Sequence, residues 1–164
     1  MKRLLWIALL ACSLSGCDVP DRIARTSSDT AGNKAIVRGY IENIINQGKW
    51  ETYDQYMHPQ IGFNDRRIDQ MEFKRMILTF KRAYPDITLS IQAQVAEGDR
   101  VVTRLICRGT HLGTDQGVPA TGRKVEYIGI SIDRIKDGRI VEMWYLGDVW
   151  DRMQQIKGTQ TDTP

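Results

Sequence analysis

The sequence has little of what closed chemical devices are built from. It holds three cysteines and two histidines in 164 residues. No two cysteines form a CxxC pair, and His58 and His111 alone cannot complete a zinc set, so no metal is expected. Cys12 lies inside the amino-terminal apolar run and Cys17 ends it, which leaves Cys107 isolated in a predicted strand and argues against a disulfide framework. Ser131 has no GxSxG context and no histidine close in sequence, so a serine nucleophile has no support. Charge of one sign is also missing. The formal charge of +3 includes Lys2 and Arg3; without them 21 basic residues stand against 20 acidic ones. A near-neutral, mixed surface carries no electrostatic footprint for nucleic acid. The longest apolar run, LLWIALLACSL, is too short to span a bilayer as a helix.

What is there begins with that run. Lys2-Arg3 followed by a short apolar core reads as a secretory signal. The tetrad Leu14-Ser15-Gly16-Cys17 resembles the lipobox of bacterial lipoproteins, which implies cleavage before Cys17 and acylation of its thiol. Acyl chains would hold the protein to a membrane at about 0.8 kcal/mol per buried CH₂. The expected place is the periplasmic face of the cell envelope, with Asp18 resembling a signal for retention at the inner membrane. Residues 17–32 lack an amphipathic period and read as a solvated tether. A folded domain is expected over 33–157, with a polar tail over 158–164.

Within the domain, Ile36, Val37, Tyr40, Ile41, Ile44 and Ile45 recur at helical spacing until Gly48, and a short second helix carries Trp50, Tyr53 and Met57 before His58-Pro59. Asp69 with Glu72 reads as a capping box that opens a third helix, closed by Pro85. The period then changes to two. Ile87, Leu89, Ile91, Ala93 and Val95 alternate with polar residues, Glu97-Gly98-Asp99 turns the chain, and Val101 to His111 returns. After a loop from Gly113 to Gly122, two further strands meet at Asp137-Gly138, a strong hairpin signal. A short amphipathic piece through Trp150, Met153 and Ile156 follows. The expected fold class is α+β, a curved sheet with about three helices on its concave side and a pocket between.

Three stretches carry a family resemblance: VVTRLICRGTHLG, VPATGRKVEYIGI and DRIKDGRIVEMWYLGD. Together they resemble the SnoaL-like polyketide cyclase and predicted ester cyclase family, of the nuclear transport factor 2-like fold. The resemblance implies a cone-shaped mixed or antiparallel sheet and homodimers formed through its outer face. It also implies that Asp148, at the end of the last strand, occupies the place of an acid/base aspartate. The histidine that accompanies it in the cyclases is not on the preceding strand, where Arg134 stands near its place.

The candidates follow. Asp148 is read either as a general base beside Trp144 and Glu142, or as the cap of the terminal helix. Arg134 is either the ion-pair partner of Glu142 or a cation for a substrate oxygen. Hairpin register decides which face Arg134 takes. A three-residue loop with Gly138 as a bulge would gather Arg134, Ile132, Ile130 and Ile128 with Glu142, Trp144 and Asp148, whereas a two-residue turn would put them on opposite faces; the former is expected. His111 is a turn-stabilising or pocket-rim residue, and Trp50, Tyr53, Tyr127 and Tyr145 are core or wall. Two function classes remain open: a domain that binds a small apolar or carbonyl-containing ligand without a cofactor, and a cyclase or isomerase that uses Asp148.

Overall fold

The computed structural model describes residues 29–159. The signal segment, Cys17, the tether as far as Ser28 and the tail beyond Thr159 lie outside the described residues. The first helix, α1 (Thr30–Gly39), starts three residues before the expected boundary because Asp29 caps it, accepting from the Gly32 N–H at 2.8 Å. It runs on into a π-helical stretch, Tyr40–Asn46, in which Tyr40, Ile41, Ile44 and Ile45 are all buried. A single 3₁₀ turn (Trp50–Thr52) leads to α2 (Tyr53–Tyr56).

Two strands then appear where continued helix or loop was expected: β1 (Met57–Phe63) and β2 (Arg66–Asp69). Their residues show no clean alternation. Tertiary pairing holds them, with β1 lying parallel to the last strand of the sheet. Asp69 caps α3 (Gln70–Ala83) through the Glu72 N–H at 2.8 Å, as the capping box predicted. The hub of this part is Phe73, fully buried with its ring 6.0–6.3 Å from Phe63, Tyr40 and Tyr53. Burying such a ring contributes about 1.5–3 kcal/mol.

Four long strands complete the sheet: β3 (Thr88–Glu97), β4 (Arg100–Thr110), β5 (Lys124–Lys136) and β6 (Arg139–Gly147). The order is β2-β1-β6-β5-β4-β3, and only the β1–β6 pair is parallel. The curved, unclosed sheet packs α1 and its π-helical extension against β3 and β4, and α4 (Val149–Lys157) against β5.

Two bulges decide which side chains face the helices. In β3 the register shifts between Ile91 and Ala93, so the expected single apolar face is broken. Val95 is 68% exposed, and Gln94 instead turns in to donate to Thr103 Oγ1. In the β5–β6 hairpin Asp137 and Gly138 both have positive φ, the signature of a two-residue turn. The shift comes later, between Arg134 and Ile135, where Val141 is the extra residue on β6. Arg134 therefore pairs with Glu142 and Ile132 with Trp144. These residues share a face as expected, but through a bulge in the strand rather than a three-residue loop.

Candidate functional site

That shared face is the outer one. Ile128, Ile130 and Ile132 are 38–44% exposed, while Val125, Tyr127, Ser131, Asp133 and Ile135, one step out of phase, are buried. The alternation of β5 thus points Ser131 and Asp133 inward and the three isoleucines outward. On β6, Met143 and Tyr145 take the inner side beyond the bulge.

Between this concave face and the helices lies a cavity of about 220 Å³. Met76, Ile77 and Phe80 of α3 form one wall, and Tyr40, Ile41 and Ile45 of the π-helical stretch a second. Leu89, Leu105, Met143 and Phe63 complete the apolar surface. An apolar cavity of roughly 150 Å³ takes a benzene, so this one suits one or two rings or an equivalent aliphatic body.

Polar groups meet the cavity in two places. Ser131 stands in register between Thr103 and Tyr145. Its hydroxyl donates to Asp133 Oδ2 at 2.7 Å. Asp133 is fully buried and its Oδ1 has no hydrogen-bond partner. Burial pushes its carboxyl up to about 7, against the opposing pull of the Ser131 hydrogen bond. Tyr40 is raised well above its ordinary value, by burial first and then by the charge of Asp133. The Tyr145 hydroxyl lies 3.6 Å from Cys107 Sγ, and burial keeps it protonated. Room for it comes from Gly129, where a Cβ would stand 2.8 Å from that hydroxyl.

The second polar place lies about 13 Å along β5, the rise of the four residues from Ser131 back to Tyr127. Here Arg152 of α4 reaches the cavity with its guanidinium 5.2–5.8 Å from the rings of Phe80, Tyr84 and Tyr127. Its Nε is 3.0 Å from Asp115 Oδ2, an ion contact without hydrogen-bond alignment. Tyr84 donates to the same oxygen at 2.8 Å. Lys81 also lines the cavity, and burial lowers its pKa.

Of the residues singled out from sequence, Tyr127 and Tyr145, read as core or wall, line the cavity, and the candidate catalytic and ligand-binding residues do not. Asp148 is exposed and caps α4, accepting from the Asp151 N–H at 2.9 Å. Arg134 pairs with Glu142 at 2.8 Å on the outer face, and Trp144 Nε1 donates to Asp65 Oδ1 at 2.9 Å. Ile130 and Ile132 are on that face too. His111 is buried against Tyr84 with its Nδ1 3.0 Å from Thr121 Oγ1, behind the cavity wall. Tyr53 is buried against Phe73, and Trp50 lies half-buried under the Lys74 ammonium at 5.4 Å. What sequence reasoning missed is Asp133. Its signal was there: Tyr127, Ser131, Asp133 and Ile135 share one side of a strand whose other side holds the isoleucines.

Among the described residues no helix is long and apolar enough to cross a membrane, and no cluster of potential ligands could hold a metal ion. No curated protein sequence matches the chain. Solved structures do. One is a candidate polyketide cyclase from Acidithiobacillus ferrooxidans, 24% identical, with a TM-score of 0.71 over 81% of this chain and 99% of that one. IdmH, a candidate polyketide cyclase from Streptomyces antibioticus, is 28% identical with a TM-score of 0.70, over 76% of this chain and 98% of its own. AclR, a candidate hydroxylase from Streptomyces galilaeus, is 23% identical with a TM-score of 0.68, over 82% of this chain and 86% of its own. The sequence profile of SnoaL-like polyketide cyclases matches residues 35–156. The chain belongs to the SnoaL-like polyketide cyclase family.

Proposed function

We propose that this domain takes up a small, largely apolar, carbonyl-bearing ligand in the cavity of its cone. The observation that carries this reading is the cavity itself: about 220 Å³ of mainly aliphatic and aromatic lining, with the Ser131 and Tyr145 hydroxyls on its floor. A few convergent polar groups in an apolar hollow orient a ligand without a cofactor. The similarity to IdmH supports the same class of ligand. The alternative expectation, turnover by Asp148, has less support: that carboxylate caps α4 and is not among the residues that line the cavity.

Binding is tested with 1-tetralone, a two-ring ketone, by calorimetry and native mass spectrometry. The wild-type domain binds it with one-to-one stoichiometry, and Met76→Trp, which fills the cavity from α3, abolishes binding while the domain stays folded. Equal affinity in the two proteins sinks the proposal.

We further infer that acylated Cys17 tethers the domain to the periplasmic face of a membrane; the Leu14-Ser15-Gly16-Cys17 tetrad supports it. Cell fractionation checks this: the wild type pellets with membranes and Cys17→Ser does not.

A further inference from the structure

We propose that the ligand of this cavity carries a carboxylate, held at the Arg152 end by the Lys81 ammonium and the Arg152 guanidinium. The inference rests on the ligand reading above and deepens it by naming the ligand's charge: a monoanion on a compact aromatic or aliphatic body.

The lining of the cavity includes two cations, Lys81 and Arg152, and no aspartate or glutamate. The two cations flank one ring. Lys81 follows Phe80 on α3, and the Arg152 guanidinium lies 5.2 Å from the Phe80 ring. Their surroundings differ. Arg152 is buried, has Asp115 Oδ2 at 3.0 Å and shares a hydrogen bond with the Tyr127 hydroxyl. Lys81 is half-buried, and among the described residues it has no ion-pair partner. Burial lowers its pKa with no anion beside it to oppose the shift.

A partly desolvated ammonium without a counterion is the costly part of this arrangement, and an anion brought in by the ligand removes that cost. Two cations against the one carboxylate of Asp115 leave a surplus of one positive charge at this end. A carboxylate balances it, a neutral ketone leaves it standing, and a dianion overshoots it. The donors suit the same group, because ammonium and guanidinium donate hydrogen bonds and accept none, and carboxylate oxygens only accept. The body of such a ligand has its place one turn of α3 away, about 5.4 Å, where Met76 and Ile77 precede Phe80 and Lys81 by four residues each. An amphipathic acid therefore finds both of its parts met. Asp133 does not disturb the balance, since it is buried behind Ser131 at the other polar place and does not line the cavity.

The probes are 2-naphthoate and its neutral counterpart 2-naphthamide, which share a two-ring body and differ in charge, titrated into the protein by calorimetry. The wild type binds the acid about tenfold tighter than the amide, the scale of one hydrogen bond to a charged group. The acid also displaces bound 1-tetralone one for one. In Lys81→Gln the two affinities become equal, whereas Lys81→Arg, which keeps the charge, keeps the preference; circular dichroism checks that both variants are folded. Equal affinity for acid and amide in a wild type that binds 1-tetralone overturns the carboxylate and leaves the ligand reading standing. Naphthoate that binds without displacing the ketone overturns it too, as does a Lys81→Gln protein with the full preference. A wild type that binds neither ketone nor acid overturns the ligand reading, and the carboxylate with it.

Discussion

A carboxyl that is neutral in the folded protein and ionised in the unfolded chain ties stability to pH, and Asp133 is such a group. Its folded value of about 7 lies above the unfolded value of about 3.9. Below pH 4 both states are protonated and the full stability is present. Between 4 and 7 only the unfolded chain ionises, so stability falls as pH rises; above 7 the loss is complete. The span is on the order of 4 kcal/mol. Urea midpoints for wild type and Asp133→Asn, measured from pH 4 to 8, are expected to converge at low pH and separate in favour of the variant toward pH 7. Parallel curves would contradict the assignment. Asp133 was hard to find from sequence because side choice on β5 is a contest of two apolar stripes. Three isoleucines read as the inner stripe, whereas the helices cover the stripe of Val125, Tyr127 and Ile135.

At the scale of elements, the segment between β4 and β5 is tied to the end of α3 by the Leu112 and Gly113 N–H groups, which donate to the Ala83 carbonyl, and to α4 by a clamp in which Asp115 meets Arg152 and Tyr84. Both charged side chains are about 10% exposed, so removing one leaves the other buried without its counterion. Arg152→Met is expected to cost about 3 kcal/mol in thermal unfolding and to open the 112–123 segment to limited proteolysis. The double variant Arg152→Met with Asp115→Leu recovers much of that loss. If the double variant is as unstable as the single one, the clamp is not the cause. The helices, β4 and the Asp137-Gly138 turn were legible because caps, periodicity and turn chemistry are local. β1 and β2 were not, since a short strand paired in parallel with a distant partner leaves little mark on its own residues. The bulges in β3 and β6 were hidden for the same reason: an extra residue in a ladder is defined only by the neighbouring strand.

For the whole molecule, the outer face of the sheet is the unfinished surface. Val102, Ile128, Ile130, Ile132 and Leu146 are 38–76% exposed and stand on adjacent strands. Such a patch on a soluble domain marks an interaction site. We expect it to join two copies of the chain, leaving the cavity on the opposite face of each sheet free. Sedimentation should find a dimer for the wild type and a monomer for Ile130→Lys, with the fold unchanged; a monomeric wild type would refute it. The two faces of this sheet are kept distinct by Val141 alone on β6. A regular ladder that paired Val141 with Arg134 would exchange their roles beyond the turn: Met143 and Tyr145 would go to the contact surface, and Trp144 and Leu146 to the cavity. Beyond the bulge the strand therefore behaves like a coding frame: substitutions from Glu142 to Tyr145 are expected to be tolerated better than the insertion of one residue among them, which would move every later side chain to the other face.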